Sequence, residues 1–372
     1  MKIYKVQKGD SLYNIATENQ TEVKNILDDN QMYGNDKLTI GESLVIRDEG
    51  KRRTVVNGYA YPFIDYDTLY ATLPFLTYIS IFSYHVNTDG EIVPINDESI
   101  IENAWNQNVA PLLTITNMTY TGFDSDLAHS ILISEEAQDI LLNNILEVLQ
   151  EKNYYGVNVD FEYLYPQDKE LYNEFIRKIS NFLHYNNYLL VTALAPKVYK
   201  EQTGLLYEAH DYNFHGKYAD YVILMTYEWG YTYGPPMAVA PLNQVEKVLN
   251  YAITEMPSEK ILMGIPNYGY DWTLPYTKGV AAKSISNVSA VELAKNKGAN
   301  IEFDNISMTP YFRYYDENNK EHEVWFEDAS SIEAKLNLVD KYNLAGVSYW
   351  HLGKMFTQNF LILEDMYRVD KV

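Results

Sequence analysis

"YYGVNVDFEYLY", residues 154–165, is the stretch on which the reading of this chain turns. Strand side chains alternate between faces, so Asn158, Asp160 and Glu162 share one face while Val157, Val159 and Phe161 share the other. Buried strands rarely carry two carboxylates on one face, because desolvating a charge is expensive. A strand that keeps two acids in an otherwise apolar run points to a working site at its C-terminal end.

Seven further strand-like runs lie on either side of it. They are "VVNGYAYPFI" (55–64), "LTYISIFSY" (76–84), "APLLTITN" (110–117), "LLVTALAP" (189–196), "YVILMTYEW" (221–229), "ILMGIPNYGY" (261–270) and "LAGVSYWHL" (344–352). Amphipathic stretches such as 136–151 and 168–185 separate them. Eight such alternations predict an α/β fold, a (β/α)8 TIM barrel. A doubly wound open sheet is the alternative, weakened because neither GxGxxG nor GxxxxGK[ST] occurs. The gap between the seventh and eighth runs is too long for one crossover and predicts a small α+β insertion at about 273–340. Within it, "TPYFRYYDENNKEHEVWFED" (309–328) predicts a hairpin whose Tyr311, Tyr315 and Trp325 either wall a groove over the barrel mouth or form a plain mini-core.

Residues 1–47 read as a separate small unit. "KIYKVQ" predicts a strand, Asp10 or Ser11 caps a first helix, Thr21 caps a second, and "ESLVI" closes as another strand. "RDEGKRR" is a charged stretch containing glycine, from which a linker at 48–53 is expected, with the barrel running from 54 to 372.

Composition narrows the function. The chain of 372 residues has a formal net charge of −22, a field that repels nucleic acids. It has no cysteine, which excludes disulfides and thiolate chemistry. The seven histidines form no HExxH, and His210 and His215 are not spaced as i, i+4 ligands, so no metal is expected. Neither a signal peptide nor a membrane-spanning run is visible. The 35 tyrosines offer flat faces with polar tips, suited to carbohydrate but equally to packing.

Two resemblances sharpen this. "YKVQKGDSLYNIA" (4–16) with "LTIGESLVI" (38–46) resembles a LysM domain, a βααβ unit that binds N-acetylglucosamine-containing glycans. The resemblance implies binding loops near Gly9, Asp10, Ser11, Asn30 and Met32; a structural cap is the other reading. "GVNVDFE" (156–162) resembles the DGxDxDxE signature of family 18 glycoside hydrolases, and "MTYEW" (225–229), "GIPNYGYDW" (264–272) and "VSYWHLG" (347–353) agree with it. Together the two parts look most like the spore cortex-lytic N-acetylglucosaminidases of endospore-forming bacteria.

The family resemblance implies a mechanism in which the substrate's own 2-acetamido oxygen attacks the anomeric carbon, with no cofactor. That answers a geometric objection, since Asp160 beside Glu162 cannot attack from the far face of the sugar. Glu162 is then the general acid and base, Asp160 orients and stabilises the acetamido group, and Tyr227 holds its oxygen. Trp350 floors the pocket, and Tyr268, Trp272, Glu228, Asn158 and Asn117 are expected to contact substrate. Asn158 stands where the signature has an acid, which should leave Asp160 more readily ionised. Tyr155 replaces the leading acid, and Glu228 replaces the commoner Asp. The expected partner is peptidoglycan or chitin, with no protein partner, and the expected location is the spore cortex region or cell wall. A catalytically silent glycan-binding barrel is the reading from a different class, set against the presence of Glu162.

Overall fold

The structure, a computed structural model, describes residues 2–19, 21–32, 37–46 and 51–372. The expected domain boundary at 47 and the first residues of the expected linker lie outside the described residues. The chain divides into two compact units, Met1–Thr54 with Glu364–Arg368, and Val55–Leu363 with Val369–Val372.

In the smaller unit, strands Lys2–Lys5 and Ser43–Ile46 pair antiparallel around helices Leu12–Glu18 and Val23–Asp29. Ser11, with its Oγ accepting from the Asn14 N–H, caps the first helix. Val6, Ile15, Ala16, Ile26, Leu44 and Ile46 form its core. The N-cap of the second helix is Glu22, which makes no side-chain cap bond, so Thr21 is not the N-cap the sequence suggested.

The larger unit is a closed barrel of eight parallel strands. In chain order they are Arg53–Ala60, Tyr78–Val86, Ala110–Thr116, Gly156–Asp160, Leu189–Leu194, Tyr221–Leu224, Ile261–Pro266 and Gly346–Trp350, and the eighth pairs with the first. Helices return between them, the longest being Glu135–Lys152, capped by Ser134 and ended by Asn153 in a left-handed turn. Strands covered on both faces need no alternation, so apolar residues run almost continuously through them. The exception is a polar layer inside the barrel. Asn57 donates to Ser348 Oγ (2.9 Å), Ser80 Oγ donates to Asn57 Oδ1 (2.9 Å), and Asn158 donates to Ser80 Oγ (3.2 Å) and Tyr59 Oη (2.7 Å).

The insertion follows the seventh barrel strand at once. It is a five-stranded antiparallel sheet, Lys283–Ser286, Tyr268–Thr273, Glu321–Trp325, Thr309–Tyr315 and Glu302–Asp304, with helix Asn287–Lys297. Tyr268–Thr273, expected at the barrel mouth, is one of its strands. Tyr311 stacks on Trp325 at 4.6 Å, cross-strand neighbours on their own sheet, and neither lines the barrel cavity. Among the described residues no helix is long and apolar enough to cross a membrane.

Candidate active site

The fourth barrel strand ends at Asp160, so Glu162 lies just beyond the pleat that was expected to align the two acids. They nevertheless reach the same cavity. Beyond the strand's end, Asn117 takes over from the ladder: its Oδ1 accepts from the Glu162 N–H and its Nδ2 donates to the Glu162 carbonyl, both at 2.9 Å. The chain then turns sharply, with Tyr163 at φ +56°.

The cavity at the C-terminal ends of the strands has a volume of about 540 Å³, room for a sugar and part of a neighbour. Asp160, Glu162, Tyr227, Glu228 and Trp350 all line it. Tyr227 fits because the seventh strand has a glycine beside it; a Cβ on Gly264 would stand 2.7 Å from the tyrosine ring. Trp350, at the end of the eighth strand, is set edge-on to Phe82 (4.9 Å) and Tyr59 (5.1 Å). Glu228 holds a left-handed φ of +66°, and accepts from the hydroxyls of Tyr268 and Tyr270.

Burial dominates the electrostatics. Asp160 is 3% exposed, its Oδ1 has no hydrogen-bond partner, and desolvation pushes its carboxyl up to about 7. The amide at position 158 adds no like charge behind Asp160, so burial alone accounts for the rise. Burial, then the charges of Asp160 and Glu228, raise Glu162 well above the usual carboxylate range. A carboxyl kept protonated near neutral pH can donate a proton to a leaving group. Burial also raises Glu228, against the two tyrosine hydroxyls and Lys354, which lower it.

Four expected substrate contacts are placed elsewhere. Asn158 is fully buried in the polar layer, and Asn117 is spent on backbone, donating also to the Asp124 carbonyl (3.0 Å). Trp272 is 2% exposed with its Nε1–H on the Gly234 carbonyl, and Tyr268 packs behind Glu228. In the smaller unit, Asn30 bonds both the N–H and the carbonyl of Val45, and the partly buried Met32 packs on the core. Asp10 accepts from the Gln7 N–H and Tyr4 hydroxyl, fixing the turn in which Gly9 has φ +99°. Sequence reasoning missed Tyr61, Phe82, Met118 and Tyr207 on the cavity wall. Tyr61 and Met118 fall within two residues of a barrel strand's end, which was the available signal, whereas Phe82 lies inside the second strand and Tyr207 in the loop after the fifth.

Comparisons with known proteins agree with this geometry. Residues 55–354 match the model of glycosyl hydrolases family 18, and residues 4–47 match the LysM domain. The cortical fragment-lytic enzyme of Bacillus subtilis (strain 168) is 42% identical over 430 residues, covering 100% of this chain and 99% of that protein. The crystal structure of the Bacillus cereus spore cortex-lytic enzyme SleL is similar with a TM-score of 0.84 at 37% identity, covering 99% of this chain and 87% of that one. A chitinase from Chromobacterium violaceum superposes with a TM-score of 0.79 at 25% identity, covering 84% of this chain and 98% of that one. Both matched regions point to a glycan carrying N-acetylglucosamine as the partner. With its barrel, its acids at the mouth and these matches, the chain belongs to glycosyl hydrolase family 18 and carries a LysM domain ahead of the hydrolase region.

Proposed function

We propose that this glycoside hydrolase is a retaining β-N-acetylglucosaminidase acting on spore-cortex peptidoglycan fragments, with the LysM unit holding it to the glycan. The cortex-lytic relatives support the substrate. One observation carries the mechanism: Asp160 and Glu162 come from one short segment and line one cavity, while Glu228, the other carboxylate there, accepts two tyrosine hydroxyls. A protein nucleophile has to face the acid from across the sugar ring, about 5–5.5 Å away, and adjacent acids on one strand end are poorly placed for that.

The substrate supplies the nucleophile instead. Its acetamido oxygen attacks C1 as the C1–O bond breaks, and Glu162 delivers its proton to the departing oxygen. Asp160, whose Oδ1 lacks a partner, accepts the acetamido N–H and stabilises the oxazolinium ion that forms. The Tyr227 hydroxyl steadies the acetamido oxygen, and Trp350 lies against the sugar face. In the second half Glu162, now a carboxylate, takes a proton from water. The water oxygen bonds to C1 from the side the leaving group vacated, the acetamido oxygen departs, and configuration is retained.

The test is parallel digestion of purified cortex fragments and chitin oligomers, with mass spectrometry reading the new reducing ends. New N-acetylglucosamine ends from cortex, reduced by about 10²–10⁴-fold in Glu162→Gln, are expected. Comparable rates on chitin oligomers would move the assignment to a chitinase, and no cleavage of either would leave a glycan-binding barrel.

A further inference from the structure

The last residues of the fourth barrel strand are unlike the rest of the sheet. Ladder pairing with the third strand stops at Thr116 opposite Asp160, and pairing with the fifth strand stops at Thr192 opposite Val159. The two residues that follow, Phe161 and Glu162, have lost both neighbouring strands, yet one of them is the proton donor proposed above. Two side chains fill the vacated positions. On one side the Asn117 amide alone presents one acceptor and one donor to Glu162, standing in for the two groups a neighbouring strand would supply.

On the other side an imidazole is inserted between two backbones. The Ala195 N–H donates to His210 Nδ1 (2.9 Å), and His210 Nε2–H donates to the Phe161 carbonyl (3.0 Å). Ala195 directly follows the fifth strand, so the ring relays one ladder bond across its own width. These partners fix the tautomer, with Nδ1 bare and the proton on Nε2. The ring is 1% exposed, and Lys197 Nζ anchors its backbone by donating to the His210 carbonyl (3.1 Å). Spreading the strands this way lets the acid segment leave the sheet and face the cavity while the Phe161 carbonyl and both backbone groups of Glu162 keep partners.

We infer that Asn117 and His210 are positioning residues for Glu162, a two-sided clamp that sets where the proton donor stands without touching substrate. The inference rests on Glu162 being that donor. It also accounts for Asn117 being buried at the mouth of the barrel while lining no part of the cavity.

The experiment measures kcat, KM and the pH dependence of kcat/KM for Asn117→Leu and His210→Phe in the full chain, on one soluble oligosaccharide, with Glu162→Gln alongside. The clamp predicts at least about a 10-fold fall in kcat, the scale of a displaced reacting group, with KM within about twofold. It also predicts that the basic limb of the profile moves to lower pH, because a Glu162 released toward water loses the burial that favours its protonated form. A loss of activity matched by the loss of folded protein, with the basic limb unmoved, overturns the inference. So does wild-type kcat in a folded variant. If either variant fails to fold, the uncharged replacements Asn117→Gln, whose amide is displaced by one methylene, and His210→Gln take their place, and the same limb shift is required of them. Wild-type turnover by Glu162→Gln removes the donor assignment itself, a result distinct from an intact donor with no clamp.

Discussion

At the scale of single residues, Asp160 is a liability in the empty enzyme. Its carboxyl is held up to about 7 from an ordinary value of 3.8, with burial as the cause. Between those two values the folded protein binds more protons than the unfolded chain, so this group's contribution to stability falls as pH rises through that window and is lost above it. Asp160→Asn removes the titration. The variant is expected to melt about 2–4 °C above the parent at pH 8, the response of a large domain to roughly 1 kcal/mol, and to converge with it near pH 4. Thermal melts at both pH values check this; a constant offset, or a less stable variant at pH 8, contradicts it. The gain in stability comes with loss of turnover, as at many strained sites. The same residue explains what could be read in advance. A carboxylate inside an apolar strand is costly enough to be conspicuous, and Asp160 and Glu162 were conspicuous. Tyr61, Phe82 and Met118 were not, because an aromatic or apolar side chain in or just beyond a strand looks the same whether it packs inward or walls a cavity. His210 lies outside any periodic segment, and only the geometry of two separated strands shows what its ring connects.

At the scale of elements, the insertion returns to the barrel through a buried ion pair. Lys335 and Glu327 are each 1% exposed and 2.8 Å apart, and Ser331 also donates to Glu327. The pair links the end of the insertion's last strand segment to helix Ala329–Lys341, which leads into the eighth strand and Trp350. Lys335→Met leaves Glu327 buried without its cation, and a cost of about 3–5 kcal/mol is expected. Urea unfolding at pH 7 measures it, and a change below about 1 kcal/mol would show that the pair is not holding this joint. The insertion is also where sequence and structure part. A hairpin was legible from the alternation around "DENNKEH". The strand Tyr268–Thr273 was not, because its aromatics continue the seventh barrel run without a break. Trp272 therefore read as part of the barrel mouth, while the structure seals it at 2% exposure inside the insertion's own packing.

At the scale of the whole molecule, the balance of charge governs encounter with the substrate. A net charge of −22 repels a wall polymer that carries carboxylates. Raising salt from about 10 mM to about 100 mM shortens the screening length from about 30 Å to about 10 Å. The initial rate on intact cortex is expected to rise by about twofold or more over that range, while the rate on uncharged chitin oligomers stays level. Equal responses on the two substrates would show that charge repulsion does not limit the encounter. The barrel itself was legible at this scale. Eight doubly covered strands leave eight apolar runs with helical stretches between them, and the absence of a glycine-rich phosphate loop weakened the doubly wound alternative. The small unit was legible for a different reason, since the turn residues and caps of "KGDSLYNIA" fall where its compact core needs them.

The unpartnered oxygen of Asp160 has a consequence beyond catalysis. If the acetamido N–H is the donor to this oxygen, as proposed above, binding of an N-acetylated sugar and folding strengthen each other. On that proposal the protein is expected to melt at a higher temperature with an N-acetylated sugar bound than without one.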